Sequence, residues 1–74
     1  MLLVTIPELP GRRYNVLGIV SASQGKASLD QVLNLLGDEA SKIGADAVIG
    51  IQIAIDSGPE AVVFHVVGTA IKFA

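Results

Sequence analysis

"GADAVIGIQIAID", Gly44 to Asp56, sets five isoleucines and valines in a run whose only neutral polar side chain is Gln52. Read as a strand from Ala47 to Ile55, it lays Ile49, Ile51, Ile53 and Ile55 on one face. The other face then carries Val48, Gly50, Gln52 and Ala54, smaller and partly polar, because side chains alternate along a strand. The large face needs an apolar partner, and the preceding segment offers one. In "SLDQVLNLLGDEASKIG", Ser28 to Gly44, the residues Leu29, Val32, Leu33, Leu36, Ala40 and Ile43 recur at helical spacing and form one stripe. Ser28 stands at the N-cap position, with Gln31 where a capping box places its partner. Asp30 in the first turn suits the positive end of the helix dipole. Gly44 ends the helix as the C′ residue, after Lys42 in the last turn. Gly37 is discordant, costing about 1 kcal/mol relative to alanine, which a crowded contact with a neighbouring backbone would explain.

Working outward, "LLVTI", Leu2 to Ile6, reads as a short edge strand ended by Pro7, which lacks the N–H a ladder needs. "PELPG" turns the chain. "YNVLGIVSAS", Tyr14 to Ser23, is a second strand, β-branched and aromatic, with Gly18 marking a bulge or a close backbone approach. Beyond the isoleucine strand, "DSGPE" turns the chain again and "AVVFHVVGTAIKFA" returns as a hairpin partner. That last strand is apolar on both faces, as strands covered on both sides are, so it belongs in the middle of the sheet with the second strand on its other edge. The expected fold is one domain, residues 1–74, of the α+β class: a two-layer antiparallel sheet of three main strands plus the N-terminal edge strand, with one helix on one face.

Composition bounds what such a fold does. The chain has 74 residues, of which 51% are hydrophobic, and a mean hydropathy of +0.64. A domain this small buries only roughly 60% of the surface its unfolded chain exposes, so the apolar surplus calls for a further cover. A membrane does not suit it, because a spanning helix needs about 20 mainly apolar residues and every apolar run here is interrupted sooner. "MLLVTIPELPGRR" also lacks the basic n-region of a signal peptide. Copies of the chain itself are the remaining cover, and oligomers are usually symmetric. With no cysteine there is no disulfide frame or thiolate site, which fits a reducing cytoplasm. The net charge of −2, from 5 basic and 7 acidic residues, and three aromatics, Tyr14, Phe64 and Phe73, argue against nucleic acid.

"GADAVIGIQI" at Gly44–Ile53, followed by "GTAIK" at Gly68–Lys72, resembles the YbjQ-like family of small bacterial and archaeal proteins. "LGIVSAS" and the helix fall in the family's order, and the resemblance spans nearly the whole chain. It implies a dodecin-like subunit with the last strand central, and assembly into a ring, a pentamer. Family members are often described as heavy-metal-binding domains. This chain lacks the insertion that usually lies between the second strand and the helix. It also has Gln52 and Ala54 where relatives often place acidic side chains, and both departures count against a metal.

His65, the only histidine, is the candidate metal ligand, and alternation points it away from the helix. One imidazole is not a zinc site, which takes three or four ligands, although ring symmetry would bring copies together at an interface. The plainer reading is a hydrogen-bonded interfacial or half-exposed histidine. Glu8, Asp30, Asp38, Glu39, Asp46, Asp56 and Glu60 fall mostly at turns or on the polar helix face, so they read as solvated charges, not a catalytic pair with separated pKa values. "GKAS", Gly25 to Ser28, is not a phosphate loop, since no GxxxxGK precedes the hydroxyl. Lys26 and the free N–H groups at the helix start suit at most a small anion, against the plainer turn and N-cap. A serine triad has no orienting acid behind His65. No cofactor is expected. The sequence therefore points to a non-enzymatic homo-oligomeric binding or scaffold module, with divalent metal at an interface as the alternative.

Overall fold

The computed structural model describes residues 1–59 and 61–74, so Glu60 lies outside the described residues. In chain order the elements are β1 (Leu2–Leu3), β2 (Tyr14–Gly25), α1 (Leu29–Lys42), β3 (Ala47–Ser57) and β4 (Val62–Phe73). They form one four-stranded sheet in the order β1-β3-β4-β2. The last strand is central, antiparallel to both β2 and β3. The edge strand departs from expectation: it is two residues long and parallel to β3, so the sheet is mixed.

Both helix ends close as their sequence signals require. The Ser28 hydroxyl accepts from the Gln31 N–H, and the Ser28 N–H donates to Gln31 Oε1 at 2.9 Å, a complete capping box. Gly44 follows the C-cap residue Ile43 with φ +81°, and Lys72 Nζ lies 3.4 Å from the Gly44 carbonyl. Val32, Leu36 and Ala40 are fully buried against Val20, Val48, Ile51, Val66 and Ala70 of the sheet. Ile43, expected in the same stripe, is instead half exposed at the cap. Gly37 has no backbone crowding it, because a Cβ there would meet only the Met1 side chain at 3.7 Å, an ordinary contact.

The isoleucine face is not continuous. Ile49 pairs with Thr69 and Gln52 with Val67, so β3 spends one extra residue against β4 between them. Gly50 makes this bulge possible at φ +61°, a left-handed conformation natural to glycine. Its N–H donates to the Ile6 carbonyl at 2.7 Å, which ties the N-terminal segment to the kink. An extra residue reverses the alternation. Val48 therefore joins Ile51 beneath the helix, whereas Ile49 packs with Ala47 and Ile71 on the opposite face. Ile53 and Ile55 return to the helix side yet stay exposed, at 42% and 65%. The reason is length. The 14-residue helix is about 21 Å long, and a 12-residue strand such as β4 runs about 40 Å.

The face away from the helix is covered in part by the chain itself. Val4, Leu9, Tyr14 and Phe73 pack around Ala47, Ile49 and Ile71, and the Arg12 guanidinium lies over the Phe73 ring at 3.7 Å from its centroid. Toward the β3–β4 hairpin that cover ends.

Candidate functional site

Register across the three long strands defines what the uncovered face presents. Val67 lies opposite both Ser21 and Gln52, and His65 opposite both Ser23 and Ala54. Phe64 and Val66 belong to the core under the helix, so alternation sends His65 and Val67 to the other side, as the sequence requires. Val16 pairs with Ile71 and Ile19 with Thr69, which places both valine and isoleucine on this same face. They are 63% and 80% exposed. The result is a surface of small neutral polar groups around one imidazole, flanked by bare aliphatic side chains.

On the helix side of the sheet, opposite the His65 face, a depression of about 670 Å³ lies between Leu35 and Glu39 of α1 and Ala22, Ile53 and Val66 of the strands. Glu39 is not a free ligand, because Lys42 Nζ donates to its Oε1 at 2.9 Å. That hydrogen bond, and then the carboxylate charge, raise the Lys42 ammonium above its ordinary pKa. Both side chains are well exposed, so the pair adds little stability. Among the described residues no three His, Asp or Glu side chains come together in a way that holds a metal ion. A divalent ion takes three or more donors, and one chain supplies a single imidazole here.

The remaining sequence candidates are structural where they are ordered by a partner. Asp46 is more than a solvated carboxylate: its Oδ2 accepts the Phe73 N–H at 2.8 Å, while its own N–H donates to the Ile71 carbonyl at 2.8 Å. The sequence signal for this was its place just before the strand, which a turn reading masked. At the helix start, Lys26 takes φ +59°, and the capping box already engages the Ser28 and Gln31 N–H groups, leaving fewer donors for an anion. No described helix is long and apolar enough to cross a membrane.

The two motifs that carry the family resemblance meet in the sheet. Ala47, Val48 and Ile49 pair with Ile71, Ala70 and Thr69, and Lys72 reaches back to Gly44. These pairs hold the fold together at its covered end. No curated protein matches the chain. Its fold is similar to the crystal structure of a protein with unknown function of the DUF74 family from Pediococcus pentosaceus, with a TM-score of 0.73 and 22% identity over 100% of this chain and 98% of that one. The model of the YbjQ family, described as "Putative heavy-metal-binding", matches residues 25–74, which take in the helix and both strands of the hairpin, and the chain belongs to that family.

Proposed function

We propose that the chain is a non-enzymatic binding or scaffold module that works as a ring-shaped homo-oligomer. The observation that carries this reading is the uncovered sheet face, where Ile19 stands 80% exposed beside Val16 and Val67. At about 25 cal/mol per Å² of apolar surface removed from water, covering such a face favours association. A second copy of the chain is the cover always at hand. The five-fold state is the one the family resemblance favours. The chemistry of the face suits binding more than catalysis, since the polar groups that the strand registers place there are the Ser21 and Ser23 hydroxyls, the Gln52 amide and the His65 imidazole. Sedimentation velocity at micromolar concentration tests the reading: one closed species of several copies is expected, and a folded monomer overturns it.

A second reading, divalent metal at the subunit interface, is favoured by one observation. His65 lies on the same bare face, where a rotation axis gathers one imidazole per copy. Calorimetric titration with zinc, copper and nickel should then show binding that His65→Ala abolishes. Equal binding by His65→Ala removes this reading and leaves the first intact.

A further inference from the structure

Resting on the ring reading, we propose that neighbouring copies join by strand addition, the outer edge of β2 in one copy pairing in parallel with the outer edge of β3 in the next. Three observations lead there.

The first is an unprotected edge. β2 pairs with β4 on one side only, and its twelve residues, "YNVLGIVSASQG", contain no charge and no proline. Edge strands are normally blunted by such residues, because a free row of N–H and C=O groups recruits another strand. β2 has only its bulge between Val16 and Gly18, which leaves Ile19 to Gly25 regular.

The second is a matching free stretch at the same height. On the opposite edge of the sheet the N-terminal segment occupies β3 as far as Ile51, whose N–H donates to the Val4 carbonyl at 3.1 Å. From Gln52 to Ser57 no strand among the described residues pairs with that edge. Both free stretches face the same residues of β4: Ser21 and Gln52 are level at Val67, and Ser23 and Ala54 are level at His65. A rotation about an axis running along the strands preserves height and direction, so it brings these two stretches together. A two-fold pairing of β2 with itself would instead leave the free part of β3 bare.

The third is what the joint covers. A continued sheet keeps its helix side, and α1 packs chiefly on β2 and β4. The neighbour's β2 therefore brings its helix layer to the side where Ile53 and Ile55 stand exposed, the two isoleucines that the chain's own helix does not reach.

The absence of native cysteine makes the test direct. Ser21→Cys, Ser23→Cys, Gln52→Cys and Ala54→Cys are prepared singly at exposed positions, with circular dichroism checking that each folds. Under mild oxidation, side chains adjacent on one face of paired strands are near enough to cross-link. Mixing a β2 variant with a β3 variant should yield disulfide-linked pairs. The Ser23→Cys/Ala54→Cys double variant should form a ladder that ends at the mass found by sedimentation. Cross-linking of Ser23→Cys to itself alone, or an intact oligomer in which no β2–β3 pair links, overturns the edge joint while leaving the ring. A monomer in sedimentation overturns both.

Discussion

Asp46 shows how a single side chain completes the sheet. The end of β4 has a backbone N–H at Phe73 that Asp46 Oδ2 accepts, in the same place where Arg12 lies over the Phe73 ring. Asp46→Ala is expected to destabilise the fold by about 1 kcal/mol, the usual net worth of one hydrogen bond. Asp46→Asn retains an acceptor and should lose less. Denaturant unfolding at one fixed protein concentration measures both, the fixed concentration being needed because association shifts apparent stability. At Lys26 the backbone is left-handed, which costs a side-chain-bearing residue roughly 1–2 kcal/mol. Lys26→Gly relieves that cost while adding entropy to the unfolded chain, so a gain of about 0.5 kcal/mol is expected, read as a small rise in melting temperature.

At the scale of elements, the decisive joint is the bulge of β3 against Gly68 of β4. A Cβ built on Gly68 would come within 2.5 Å of Val48 Cγ1 and 3.1 Å of Ile51 Cγ1. Both neighbours are buried and β-branched, with little rotamer freedom to move aside. Gly68→Ala should therefore cost about 1–3 kcal/mol, the range for overpacked cores. Combining it with Val48→Ala should cost less than the two single changes summed, because the second substitution vacates the space the first one needs. Strict additivity in denaturant unfolding would show that the crowding is relieved elsewhere.

For the whole molecule, the mismatch between a short helix and long strands sets the surface. The chain covers the end near Ala47 from both sides, with α1 on one face and the N-terminal segment on the other. The hairpin end has Ile53, Ile55 and Val62 exposed on one side and Val67 on the other, and on that second side Ile19 stands exposed along β2, level with Thr69. Ile19→Lys alters a position that the isolated fold barely uses, so the stability of a single copy should change by no more than about 0.5 kcal/mol. In the proposed ring it puts a charge where apolar cover is wanted. Sedimentation should show a lower mean mass than for the unaltered chain, and an unchanged mass would mean that this face is not what holds the copies together.

Local signals carried most of the architecture. The capping box, the helical stripe and the doubly apolar last strand are each readable within a few residues, because helix ends are closed by neighbours in sequence and a central strand must be apolar on both sides. The class, the element order and the central place of β4 follow from them. So does the side on which His65 stands, since β4 runs from His65 to Ile71 without a bulge. What the tertiary structure decided is which isoleucine faces which layer. Gly50 was the available sign, a glycine inside a strand, but one inserted residue reverses every side chain beyond it and alternation alone does not reveal the reversal. It likewise took the folded chain to show that Val4, Leu9 and Tyr14 shield Ile49 and Ile71, because contacts between segments distant in sequence leave no periodic trace in either.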